Sequence, residues 1–153
     1  MKASDIMSQT KTCSSSSTVG DAFLLMLESK SAAIPVVDNN DVIGVINSLD
    51  IIEHIVPSYI TNGYLDSVPY APDIGMLMRE YASVKDTPIT PMIDRNPTKV
   101  REGDSLISTA ASIITHDRHE YALVTKSDKK GLLGIVTTFD ILSYLAKQDA
   151  SDV

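Results

Sequence analysis

The sequence lacks two features that mark secreted and membrane proteins: it has only one cysteine and no long apolar run in 153 residues. Because Cys13 has no second cysteine to pair with, an internal disulfide is excluded and a reducing, cytoplasmic location is expected. A membrane-spanning helix needs about 20 consecutive apolar residues, so no membrane partner is expected. The formal net charge of −7 argues against nucleic acid as a partner, since binding a polyanion requires a cationic surface.

Common catalytic and metal-binding motifs are missing as well. The sequence has no Walker loop, no G-x-S-x-G and no H-E-x-x-H. His116 and His119 lie three residues apart beside carboxylates, as some metal ligands do. However, Arg118 would repel a cation, and no cysteine or further histidine supports a metal site. We therefore expect a protein that is not an enzyme, holds no metal and needs no obligatory cofactor.

One strand-to-helix junction, in contrast, occurs twice. Residues 44–50 read GVINSLD and residues 134–140 read GIVTTFD, ninety positions apart. Each copy has a glycine, two β-branched residues, a polar residue suited to cap a helix, and an aspartate three places further on. Each is followed by an apolar pattern with helical spacing. The duplication indicates two copies of one supersecondary unit that pack against each other.

Around each junction the hydrophobic pattern predicts the order helix, strand, strand, helix. The first repeat spans residues 3–56 and the second spans residues 91–146. Each repeat is too small to bury a good core alone, so the two are expected to pair about a pseudo-twofold axis. The apolar faces predicted for the first long helix of each repeat are Val19, Phe23, Met26 and Leu27, and Leu106, Ala110, Ile113 and Ile114.

The segment that joins the repeats, residues 57–90, differs in composition and is rich in tyrosine and proline. Helical spacing of apolar residues predicts a helix over 73–84. This helix either covers the edge of a sheet in its own chain or faces a partner, and amphipathic stripes usually face their own core. The tail, residues 147–153, is expected to be frayed.

The two ordered copies resemble a tandem pair of CBS domains, which is called a Bateman module. The resemblance rests on the strand Ile34-Pro35-Val36-Val37-Asp38, on the two glycine-led junctions, and on Asp5-Ile6-Met7 and Thr90-Pro91-Met92-Ile93 at the start of each repeat. It implies an α/β (α+β) fold in which each repeat is a small sheet with two helices. It also implies adenosine-type ligands bound in clefts between the two repeats, and a homodimer.

The junction allows two interpretations. Asn47 or Thr137 occupies a helix N-cap position with Asp50 or Asp140 three residues later, which is the spacing of a capping box. A carboxylate held at a helix start can also accept hydrogen bonds from a ribose 2′,3′-diol, while neighbouring hydroxyl and N–H groups face a phosphate. The sequence therefore leaves open whether the aspartates bind a ligand or only cap helices.

The two junctions are not equivalent. The second repeat keeps the threonine of the family pattern at Thr137, whereas the first has Asn47. Cations also cluster in the second repeat, where the resemblance gives His119 the place of a phosphate-binding histidine. We therefore expect a phosphorylated adenosine ligand, AMP, ADP or ATP, at the second site, and a less charged ligand or none at the first. The candidate ligand-binding residues are Thr98, Lys99, Arg118, His119, Tyr121, Ala122, Thr137 and Asp140, with Ile34, Pro35, Asn47 and Asp50 in the first repeat.

The function implied by the resemblance is that of a non-catalytic regulatory module. Binding of an adenine nucleotide would change the relative orientation of the repeats and so alter a surface presented to an effector protein, which the sequence does not name. The alternative is a dimerisation or protein-interaction module that binds no ligand, in which Asp50 and Asp140 are only caps.

Overall fold

Helices and short strands alternate along the chain in a computed structural model that describes residues 1–58, 74–116 and 119–151. The mixed α/β fold with small sheets is confirmed. The helices are α1 (Ala3–Ile6), α2 (Val19–Ser29), α3 (Ser48–Ile55), α4 (Ile74–Val84), α5 (Leu106–Thr115) and α6 (Thr138–Ser151), and a 3-10 turn covers Thr90–Met92. The strands are β1 (Ala33–Asp38), β2 (Asp41–Asn47), β3 (Lys99–Arg101), β4 (Tyr121–Thr125) and β5 (Leu132–Thr137).

The chain divides into two compact units. The first unit comprises Met1–Lys11, Val37–Gly44 and Arg95–Val153. Its sheet has the order β3-β4-β5, in which β3 runs parallel to β4 and β4 runs antiparallel to β5. The core of this unit combines one face of the sheet with α1 and α5, through Ala3, Val100, Ile113, Ala122, Val124 and Val136.

The N-terminal segment is part of the first unit because its backbone bonds to the sheet. Ser8 and Ile135 exchange backbone hydrogen bonds of 2.8 and 2.9 Å, and the N–H of Ala3 donates to Asp104 O at 2.8 Å. Gly134 makes this approach possible, since a Cβ at that position would lie 2.7 Å from Ser8 O. The glycine that opens the second junction is therefore required by close packing of the backbone.

The second unit comprises Thr12–Val36 and Val45–Asp94, within the described residues. It contains α2, α3 and α4. Val45 and Asp94 exchange backbone hydrogen bonds of 2.9 and 2.8 Å, and Cys13, which is buried, donates its N–H to Pro35 O at 3.1 Å. The β1–β2 hairpin reverses at Asn39 and Asn40, which are counted with the first unit and both have the positive φ that a tight hairpin turn requires.

The predicted apolar faces of α2 and α5 are wrong in part. Phe23, Leu27 and Ile114 are 38%, 58% and 77% exposed, so they do not belong to the core. The residues that α2 buries are Val19, Ala22 and Met26, and those that α5 buries are Thr109 and Ile113. The core-facing stripe of each helix is narrower than its apolar stripe, and small or polar side chains take part in it. Among the described residues, no helix has the length and apolar character needed to span a membrane.

Candidate functional site

The junction of the first unit lies where β5 ends at Thr137 and α6 begins. The N–H of Thr137 donates to Asp140 Oδ2 at 2.8 Å, and the N–H of Asp140 donates to Thr137 Oγ1 at 3.1 Å. This reciprocal pair is a capping box, and both side chains are half-buried. An ionised carboxylate offers about four acceptor positions on its two oxygens. Capping through Oδ2 therefore orients Asp140 without using all of its acceptor capacity.

The junction of the second unit uses its aspartate differently. The backbone N–H of Asn47 donates to Asp50 Oδ2 at 2.9 Å, and the side-chain Nδ2 of Asn47 donates to the same oxygen at 2.9 Å. Asn47 thus gives the carboxylate of Asp50 two donors, one from its backbone and one from its side chain. Thr137 gives the carboxylate of Asp140 only its backbone N–H. Asp50 is held more completely by its own cap than Asp140 is.

In both units the first N–H of the helix is bound by the residue that precedes the adjacent strand. Thr138 N–H donates to Glu120 O at 2.9 Å, and Ser48 N–H donates to Ala32 O at 2.8 Å. In the first unit this bond and the pairing of Tyr121 with Thr137 place the start of β4 beside the capping box. The corresponding position in the second unit begins with two alanines, which bring no polar side chain to the junction.

Several of the expected ligand-binding residues adjoin one another in the first unit. Tyr121 and Ala122 are buried in β4 opposite Thr137 and Val136. Leu123 N–H donates to Thr98 O at 2.8 Å, which fixes Thr98 at the neighbouring strand position.

Thr98 carries a buried polar atom that no described residue satisfies. Its side chain is 4% exposed, and its Oγ1 atom is buried with no hydrogen-bond partner in the part of the chain that the structure describes. Burying a hydroxyl without a hydrogen-bond partner raises the free energy of the folded state, so unsatisfied buried hydroxyls are uncommon. A hydrogen-bond partner for the Thr98 hydroxyl would therefore be favourable.

Two cations, Lys99 and Arg118, were expected to lie near the phosphate of the ligand. Lys99 Nζ donates to Val42 O at 3.5 Å, so its ammonium group is directed at the backbone of β2. Arg118 lies outside the described residues. In the second unit, Ile34 and Pro35 are buried in β1.

His119 is part of a column of three rings. Its imidazole stacks on Tyr121, with ring centres 4.9 Å apart and planes at 27°, and on His116, at 5.3 Å and 20°. His116 was considered above only as a metal ligand and not as a part of the ligand site. Within residues 1–58, 74–116 and 119–151, no three His, Cys, Asp or Glu side chains are grouped so that they could hold a metal ion.

A concave apolar feature of the second unit was not anticipated. A cavity of about 330 Å³ is lined by Phe23 of α2, Tyr81 of α4 and four residues of α3, Ser48, Ile51, Ile52 and Ile55. The sequence pattern placed Phe23 in the core, and only its 38% exposure in the structure shows that it lines a cavity instead. The lining carries no ionisable group other than the tyrosine hydroxyl.

Comparison with known proteins identifies the same architecture. The family model for the CBS domain matches residues 3–57 and 84–147. A crystal structure of a CBS domain-containing protein of unknown function from Bacillus anthracis is 18% identical with a TM-score of 0.73, and the match covers 96% of this chain and 94% of that chain. No curated protein sequence matches.

Two further structures are of the CBS-pair protein CBSX2. The structure from Arabidopsis thaliana is 19% identical with a TM-score of 0.73, over 97% of this chain and 96% of that chain. The structure of CBSX2 in complex with AMP is 20% identical with a TM-score of 0.70, over 97% and 98% of the two chains. At this level of identity, the likeness establishes the fold.

Proposed function

We propose that this chain, which belongs to the CBS domain family, is a non-catalytic regulatory module that binds an adenine nucleotide at the junction of its first unit. The observation that carries the proposal is the Thr137–Asp140 pair, in which capping fixes a carboxylate through one oxygen and leaves acceptor capacity for a ligand. The AMP complex of CBSX2, which has a similar fold, supports the choice of ligand class.

Each part of an adenine nucleotide has a counterpart in the first unit. The Asp140 carboxylate would accept hydrogen bonds from the ribose diol, as a charge-assisted pair. The backbone at the start of β4, at Tyr121 and Ala122, would form hydrogen bonds with the edge of the adenine. His119 would face the phosphate, and Thr98 would use its unsatisfied hydroxyl on the ligand.

The second unit is expected to bind such a ligand more weakly or not at all. Asp50 already accepts two hydrogen bonds from Asn47 at one oxygen. Ala32 and Ala33 stand where the first unit has Glu120 and Tyr121, so no stacking ring is present at those positions. We therefore propose one principal nucleotide site per chain.

Regulation would act by a population shift. A ligand shifts a conformational equilibrium only by as much as its affinity differs between the conformations. The chain would pass this shift to an effector protein.

A homodimer is the expected assembly. The first unit exposes large apolar side chains on α5 and α6 that its own core does not cover, and burial of such surface stabilises association. These residues are Ile107, Ile114, Phe139, Leu142 and Leu145, each 51% exposed or more.

The same surface, together with the capping role of both aspartates, also favours a second candidate function. In that case the chain is an assembly module whose aspartates bind no ligand. Thermal unfolding with AMP, ADP, ATP, S-adenosylmethionine and NAD separates the two functions. A ligand at 100 times its Kd raises the free energy of unfolding by about 2.7 kcal/mol. The sensing function predicts a clear rise in Tm with adenine nucleotides, and no rise with any of the five would favour the assembly module.

A further inference from the structure

The geometry points to His116 as a positioning residue that holds His119 in the orientation needed to meet the phosphate of the ligand, an inference that rests on the proposed nucleotide site. His116 is not among the residues that the sequence pattern assigns to the site. It sits at the end of α5, and its ring stacks on that of His119, with centres 5.3 Å apart.

The ring of His116 is itself fixed by a hydrogen bond. Its Nε2 lies 2.8 Å from Asn96 O. Because a carbonyl oxygen only accepts, Nε2 must carry the proton and donate it. This bond sets the tautomer and ties the ring to the segment that leads into β3, two residues before Thr98.

The other nitrogen of His116 shows that the ring does not bind the ligand directly. Nδ1 is buried and has no hydrogen-bond partner among the described residues. With Nε2 committed to Asn96, His116 has no donor to offer an anion. What the ring presents to His119 is a flat face.

His119 is thus held between two rings, since Tyr121 stacks on it at 4.9 Å. Tyr121 is buried and belongs to β4, so one side of the stack is part of the sheet. His116 supplies the opposite side. An imidazole confined in this way loses little side-chain freedom when it binds an anion, and reduced ordering cost raises affinity. Without His116, His119 would have to be ordered by the ligand itself.

The inference predicts a loss confined to the phosphate-dependent part of binding. In His116→Ala, AMP should bind about three- to tenfold more weakly, which is the scale of one aromatic stack. Adenosine, which has no phosphate, should bind as it does to the wild type. His116→Phe keeps a flat ring and should recover most of the AMP affinity. His116→Gln keeps a donor for Asn96 without a ring and should not recover it.

The test is calorimetric titration of AMP and adenosine into these variants, into His119→Ala and into the double variant H116A/H119A. If His116 acts through His119, the double variant loses no more AMP affinity than His119→Ala alone. Equal losses for AMP and adenosine, or additive losses in the double variant, would show a merely structural role and overturn the inference. Failure of the wild type to bind both compounds would instead reject the nucleotide site, and the inference with it.

Discussion

Asp140 Oδ2 lies 2.8 Å from the backbone nitrogen of Thr137, and the hydroxyl of Thr137 accepts the N–H of Asp140 at 3.1 Å. Each residue satisfies a donor of the other, so the position of the carboxylate is set by the backbone of β5 and α6. At the second junction the same bond from Asn47 to Asp50 is joined by one from the asparagine side chain. The difference between a threonine and an asparagine therefore changes how much of the carboxylate is available.

Replacing Thr137 by Asn should convert the first junction into the type seen in the second unit. The new side-chain amide would compete with the ribose for Asp140, so we expect AMP affinity to fall by about three- to tenfold, the scale of one hydrogen bond. Calorimetric titration of AMP measures this change. Thr138→Asn, at the next position, is the matched control and should leave the affinity within a factor of two, an estimate on the scale of surface substitutions. Equal losses in both variants would contradict the role assigned to Thr137.

Replacing Gly134 by Ala should destabilise the first unit. The added Cβ would meet Ser8 O at 2.7 Å and Met7 Sδ at 2.9 Å. Overpacking of this kind costs roughly 1–3 kcal/mol in free energy of unfolding. Gly103→Ala is the control, because nothing lies within 4 Å of a Cβ at that position. Urea denaturation of both variants gives their free energies of unfolding. If Gly134→Ala is no less stable than Gly103→Ala, Gly134 is not packed closely against the N-terminal segment.

Thr98→Val should separate stability from binding. Removing a buried hydroxyl that has no partner costs no hydrogen bond, so the ligand-free protein should be as stable as the wild type or slightly more so. AMP binding should nevertheless weaken. Thr125→Val provides the contrast, since Thr125 Oγ1 donates to Val100 O at 3.2 Å and its loss should lower stability by about 1 kcal/mol. If Thr98→Val destabilises the free protein as much as Thr125→Val, its hydroxyl is satisfied in solution.

The double variant F139K/L142K should weaken self-association. Phe139 and Leu142 are 76% and 63% exposed on α6, so charges there would oppose burial against a second copy while leaving the fold intact. Sedimentation equilibrium measures the dissociation constant. The control Q148K/S151K adds the same charges to exposed positions on the opposite face of the same helix. A dimer that is unaffected by F139K/L142K would place the interface elsewhere.

The resemblance to a tandem CBS pair is confirmed, and it could be read from the sequence because its signals are local. Cap and carboxylate stand three residues apart, and strand and helix follow in fixed order. The buried faces of α2 and α5 were harder to predict. Phe23 and Ile114 fit the helical spacing of apolar residues whether they face the core or the surface.

Two features were beyond sequence reasoning because they depend on the tertiary course of the backbone. The pairing of Ser8 with Ile135 joins segments far apart in the sequence. The stack of His116 on His119 brings a ring at the end of α5 against a ring just before β4. Neither relationship leaves a periodic or motif-like trace.

The most direct test of the proposed function compares the two aspartates by calorimetric titration with AMP. We predict that Asp140→Asn lowers the affinity of the principal site about tenfold or more, because it removes a charge-assisted hydrogen bond to the ribose. Asp50→Asn should leave that affinity nearly unchanged, although it also alters a helix cap. Equal effects of the two substitutions, or no effect of Asp140→Asn, would contradict a nucleotide site built on Asp140.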